Sequence, residues 1–176
     1  MKQIYLLHFF LVFFTNSMYG VENVYINEFL ASNSITISDE FGEYDDWIEI
    51  YNANPFPVNL GGMYLTDDFT QPTLYEIPTS NPALTTVPAN GYILFWADKD
   101  TLQGMLHTNF KLSSLGEQIA LIEQINGSLS VVDSINYSGQ TNDISYGRFP
   151  DGSSDFEYFY TLTPNSSNVT TTPPIV

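Results

Sequence analysis

Turn-forming dipeptides punctuate this chain densely, and the segments between them lack any long helical period. Asn54-Pro55, Gly61-Gly62, Asn81-Pro82, Asn90-Gly91, Asn126-Gly127, Asp151-Gly152 and Pro173-Pro174 recur along its 176 residues. Each favours a turn, because Gly and Asn tolerate positive φ while Pro fixes φ and lacks an N–H. The intervening segments are short and rich in Tyr, Phe, Ile and Val, which suit a half-buried pleated surface. The best fall at residues 24–30, 47–52, 63–66, 92–97, 118–123, 131–137 and 156–162. About seven to nine such strands, without heptads or an internal repeat, predict an all-β fold of antiparallel sheets, a sandwich or a barrel.

Side-chain alternation predicts which faces are inside. In Trp47-Ile48-Glu49-Ile50-Tyr51, the period of two puts Ile48 and Ile50 on a core face and Trp47, Glu49 and Tyr51 on an amphipathic one. Residues 91–97 are apolar on both faces, which predicts a central strand covered on each side. Residues 118–123 behave similarly, and Asn126-Gly127 just beyond them predicts a hairpin to residues 129–136. The expected core therefore contains Ile48, Ile50, Ile93, Phe95, Ile119 and Leu121. Residues 169–176, with three threonines and two prolines in a row, read as a linker or disordered tail.

The amino terminus reads as an export signal. Lys2 gives a short positive start, residues 4–14 are an apolar run broken only by Tyr5 and His8, and small polar residues follow at 15–17. Crossing a bilayer takes roughly 20 apolar residues, so this run suits a cleaved secretory signal over residues 1–20, with cleavage after Ser17 or Gly20. A buried amino-terminal strand is the alternative.

Charge and cysteine content remove whole classes of function. Lys2, Lys99, Lys111 and Arg148 face twenty acids, for a net charge of −16, or −17 once Lys2 leaves with the signal. Nucleic-acid binding rests on Lys and Arg displacing counterions, so it is not expected. Attachment to an anionic membrane is disfavoured likewise. With no cysteine, disulfides, thiol nucleophiles and zinc–thiolate sites are excluded together.

Six phrases, read in order, carry a resemblance. They are Ile26-Asn27-Glu28-Phe29-Leu30-Ala31-Ser32-Asn33, Asp46-Trp47-Ile48-Glu49-Ile50-Tyr51-Asn52, and Val58-Asn59-Leu60-Gly61-Gly62-Met63-Tyr64-Leu65-Thr66-Asp67. Leu106-His107-Thr108-Asn109-Phe110-Lys111-Leu112-Ser113, Gly116-Glu117-Gln118-Ile119 and Ser145-Tyr146-Gly147-Arg148-Phe149-Pro150-Asp151-Gly152 follow. Over residues 21–168 the chain resembles a lamin-tail domain of the kind found in exported bacterial proteins. The resemblance implies an immunoglobulin-like β-sandwich with no active site of its own, used as an accessory module of secreted or surface proteins. Two positions depart from the family pattern. Its closing Thr-Pro-Gly phrase is here Thr163-Pro164-Asn165-Ser166-Ser167-Asn168, where Asn can adopt the left-handed conformation that Gly supplies. Its nearby tryptophan is replaced by Phe156 or Phe159. Animal lamin tails are associated with DNA, a property that the acidic charge argues against carrying over.

Candidate sites are few. Asp39, Glu40, Glu43, Asp45 and Asp46 form an acidic loop around Gly42, which reads as a solvated face, with calcium as the functional alternative because calcium takes six to eight oxygens. Unless a cation offsets their repulsion, these five carboxylates are expected to keep the loop extended. Asp67-Asp68 and Asp98-Lys99-Asp100 are weaker versions of the same idea. Arg148 reads as a structural partner for a carboxylate, Glu28 or Glu49, with anion binding as the alternative. Tyr137, Tyr146, Tyr158 and Tyr160 have polar neighbours and are candidates for an exposed aromatic surface, although aromatics also fill ordinary cores. His107, the one histidine beyond the signal, reads as hydrogen-bonded structure, and no Gly-x-Ser-x-Gly phrase supports hydrolysis.

Together these readings describe a non-catalytic exported module, needing no cofactor unless calcium binds, that positions a partner protein or anchors at the cell surface, with a protein or a cell-surface carbohydrate as its partner. A calcium-stabilised spacer is the second reading and a hydrolase the third.

Overall fold

Asn126 and Gly127 take φ of 52° and 82°, the two positive values that a tight type I′ hairpin turn needs. They join the two longest strands of a computed structural model that describes residues 21–170. The expected signal, residues 1–20, and the end of the expected tail, 171–176, lie outside the described residues.

Eleven strands and one helical turn are present among the described residues. They are β1 Val24–Leu30, β2 Asp46–Asn52, β3 Val58–Asn59, β4 Tyr64–Thr66, β5 Tyr75–Glu76, α1 Pro82–Thr85, β6 Thr86–Val87, β7 Gly91–Ala97, β8 Gly116–Ile125, β9 Ser128–Ser138, β10 Ser145–Arg148 and β11 Phe156–Phe159. A five-stranded sheet runs β11-β10-β1-β2-β7 and a four-stranded one β5-β4-β8-β9, with β3-β6 as a small third sheet. All of these strand pairs are antiparallel. The fold is thus the all-β, immunoglobulin-like antiparallel sandwich that the sequence predicts. Among the described residues helix is confined to four positions, and no helix is long and apolar enough to cross a membrane.

The core lies between the two large sheets. Ile48, Ile50, Ile93 and Phe95 from one meet Leu65, Ile119, Leu121, Ile135 and Tyr137 from the other, so all six core residues expected from alternation are inside. The opposite face of the five-stranded sheet is also covered. Leu30, Trp47, Leu94 and Trp96 form a second apolar cluster there, packed against Ile37 and Leu162. The face of β2 expected to be amphipathic is therefore interior at Trp47 and Glu49, both 0% exposed.

β7 is a terminal strand of its ladder, which corrects the expectation of a central one. Its double-sided apolarity comes from cover on both faces, and its outer edge is partly paired. Trp96 N–H donates to Leu106 O at 2.7 Å and Thr108 N–H to Trp96 O at 2.8 Å.

β10 is a strand that the sequence pattern missed. It lies between β1 and β11, so the fold continues well past the hairpin of β8 and β9. Gly147 permits this close approach, since a Cβ there would stand 2.5 Å from Asn27 O and 2.9 Å from Glu28 Cα.

Candidate functional site

Period-two alternation along β10 and β11 gathers aromatic rings at the β11 end of the five-stranded sheet. Tyr146 pairs with Tyr158, and Arg148 with Phe156. Ring centroids of Tyr146 and Tyr158 are 4.7 Å apart, and Tyr146 stacks on Phe156 at 5.5 Å. The Arg148 guanidinium lies 4.6 Å from the Phe156 centroid, a cation–π distance that stiffens the row. Tyr158 is 42% exposed while Tyr146 and Phe156 are half-buried, so one edge of the row meets solvent.

Of the four tyrosines expected at a surface, Tyr146 and Tyr158 are thus brought together, and Tyr160, 38% exposed, follows just past β11. Tyr137 corrects the expectation. It shares the inward face of β9 with Ile135, is 7% exposed, and packs on Phe29 at 4.5 Å. Its hydroxyl donates to Glu117 Oε1 at 2.8 Å, so polar sequence neighbours concealed an interior ring.

Arg148 forms a structural ion pair, but with Asp133 on β9 rather than with Glu28 or Glu49. Its Nη2 donates to both Asp133 oxygens at 2.9 and 3.0 Å, its Nε donates to Ile26 O at 3.0 Å, and Nη1 reaches Ser153 O. Asp133 also accepts the Ile26 N–H at 2.7 Å. The pair ties the two sheets together at the edge carrying the aromatic row.

Glu28 and Glu49 instead face each other across β1 and β2, both 0% exposed. The closing phrase caps them. Thr163 Oγ1 donates to Glu28 Oε2 at 2.8 Å, Asn165 N–H to Glu49 Oε2 at 2.5 Å, and Asn27 Nδ2 to Glu49 Oε1 at 3.3 Å, while Ser145 Oγ donates to Glu28 Oε1. Asn165 holds φ at 61°, so it does supply the left-handed turn. Burial, with the Glu28 charge opposite, raises the Glu49 pKa from its ordinary 4.5 to about 9. Burial raises Glu28 as well, against the hydrogen bonds from Ser145 and Thr163. Two such carboxyls resemble an acid–base pair, but a substrate has no route to side chains sealed beneath residues 163–168.

The acidic loop is folded tightly, which corrects the expectation of an extended segment. Asp39 Oδ1 accepts the N–H groups of Phe41 and Glu43, each at 2.8 Å, and Asp39 N–H donates to Glu43 O at 3.0 Å. These bonds offset the carboxylate repulsion. Ligand atoms of Asp39, Glu43 and Asp45 come within 4.8 Å of one another. Asp45 is 3.6 Å from Lys111 Nζ. Asp46 turns away to accept the Asn33 N–H at 3.2 Å, and burial raises its pKa to about 6. Glu40 faces His107 Nε2 at 3.4 Å.

His107 lies beside Asp98 because residues 106–108 pair with Trp96. The ring is 1% exposed and its Nδ1 meets Asp98 Oδ2, a contact that local sequence does not announce. Burial works to lower the His107 pKa, but Asp98 and Glu40 outweigh it and the shift is upward.

The family described as Lamin Tail Domain matches residues 18–139. No curated protein and no solved structure matches the chain.

Proposed function

The chain belongs to the lamin-tail-domain family, one of immunoglobulin-like structural and binding modules, and from that premise we propose that it is an exported, non-catalytic module that positions a partner protein at the cell surface. The observation that carries the reading is the aromatic row Tyr158–Tyr146–Phe156 at the β11 end of the five-stranded sheet, where Tyr158 is exposed. Exposed sheet edges accept a further strand from a partner, and rigid aromatic anchors beside a fixed guanidinium are what binding hot spots are made of. Sealing of Glu28 and Glu49 supports the absence of catalysis, and the acidic charge disfavours nucleic acid and anionic lipid as partners.

Labelled protein is expected to bind intact cells of the source organism saturably. Tyr158→Ser should weaken that binding about tenfold or more while moving the melting temperature by only a few degrees. Equal binding by the variant rejects the aromatic edge as the contact. The same tyrosine dependence on purified surface polysaccharide, without protein, makes carbohydrate the partner. Turnover of ester, phosphate or glycoside substrates by the purified protein overturns the non-catalytic reading.

Export is proposed from Lys2 and the apolar run at residues 4–14. Amino-terminal sequencing of the exported protein should start at Met18 or Val21, and an exported, folded protein retaining Met1 contradicts it. The proximity of Asp39, Glu43 and Asp45 favours one second reading, a calcium-stabilised spacer, for which a chelator should lower the melting temperature.

A further inference from the structure

Asp39, on the loop between β1 and β2, is 7% exposed, and the two oxygens of its carboxylate have different fates. Oδ1 is used by the turn, accepting from Phe41 and Glu43. Oδ2 is buried with no hydrogen-bond partner. A buried carboxyl oxygen left without a partner is costly, and such groups in a folded protein point to something that satisfies them. Asp39 has a ligand atom within 4.8 Å of ligand atoms on Asp98 and His107, and all three residues are buried. The trio comes from two loops: Asp98 directly follows β7, and pairing of residues 106–108 with Trp96 sets His107 next to it.

We propose that Asp39, Asp98 and His107 hold a first-row divalent transition-metal ion that ties the β1–β2 loop to the loop following β7. Two carboxylates and an imidazole suit zinc or manganese, whereas calcium takes oxygen ligands alone. The ion sits at His107 Nδ1, where Asp98 now meets the ring, and Nε2–H donates to Glu40. A metal-bound imidazole commonly donates its other N–H to a carboxylate, which fixes its orientation. The ring of Phe41, 6.2 Å from that of His107 and edge-on to it, screens the imidazole. The neighbouring group of Asp39, Glu43 and Asp45 is a poorer host. Glu43 is exposed and already accepts from Gln103 Nε2 at 2.7 Å, and Asp45 is drawn to Lys111.

Zinc chloride alone, titrated into purified protein stripped of metal, is expected to bind at one equivalent and to raise the melting temperature. Asp39→Asn keeps an Oδ1 that can hold the turn but replaces the orphaned oxygen with an amide nitrogen, so the protein should fold and lose zinc affinity about 100-fold or more. His107→Gln should do the same, and cobalt in place of zinc should show a visible absorption band that this variant loses. Glu43→Gln with Asp45→Asn should leave zinc affinity within about threefold, since a ligand loss costs far more. The proposal is overturned by an absence of saturable zinc binding, or by zinc affinity that survives Asp39→Asn or His107→Gln. Loss of zinc in the Glu43/Asp45 variant, or calcium binding as tightly as zinc, also overturns it and places a cation on the oxygen-only cluster.

Discussion

Arg148→Met should destabilise the protein by about 3–5 kcal/mol, the usual cost of removing one partner from a buried ion pair. The side chains of Arg148 and Asp133 are 9% and 14% exposed, so solvent replaces little of what is lost. Asp133 is left holding a charge inside the sandwich, and the Ile26 and Ser153 carbonyls lose their guanidinium donor. Against a total stability of roughly 5–15 kcal/mol, this lowers the melting temperature by about 10 °C. Asp133→Asn added to Arg148→Met should recover part of the loss, because the stranded charge is gone while an acceptor for Ile26 N–H remains. Additive losses in the double variant would show that the arginine acts through its backbone and ring contacts instead.

The second large effect is on pH. A carboxyl whose pKa rises on folding holds its proton more tightly folded than unfolded. Its contribution to stability is therefore complete below its ordinary pKa and is lost as pH climbs toward the folded value. For Glu49 that window runs from 4.5 to about 9, and Glu28 shifts in the same direction. Acidification from pH 8 to 5 should thus stabilise the protein, by on the order of 4 kcal/mol if Glu49 alone responds fully, or about 10 °C in melting temperature. Below that range the trend reverses. Asp151, held below its ordinary 3.8 despite burial by bonds from Ser167, Tyr92, Asn168 and Asn27, loses its contribution as it is protonated. Glu49→Gln removes the titration while keeping the shape, so its melting temperature should vary much less between pH 8 and 5. An undiminished rise in that variant would assign the effect to other acids.

Alternation made the sandwich legible where the strands are regular, as Ile48 and Ile50 on β2 and Ile119 and Leu121 on β8 show. It failed at β1, where the register shifts between Ile26 and Glu28. Val24 and Ile26 face the core before that bulge, and Phe29 and Ala31 face it after. The phase change carries Glu28 to the opposite face, with Leu30, away from Arg148. The partner that Arg148 takes comes from β9, across the sandwich, and no local pattern reports contacts between sheets. Glu49 reads as a surface residue because its cover, residues 163–168, arrives from more than a hundred positions away. The acidic loop was visible in composition, but its division was not: Asp39 holds a local turn, while Asp45 and Asp46 are placed by Lys111 and Asn33, which only the fold brings near.

The face proposed to meet a partner is the edge strand β11 with β10 beside it. Hydrogen–deuterium exchange of the full chain, alone and bound to the surface fraction of the source cells, tests it most directly. Binding is expected to slow exchange in residues 145–160 and to leave β4, β5 and the β8–β9 turn unchanged. Slowing confined to residues 39–46, or spread over the four-stranded sheet with none at residues 145–160, would contradict it.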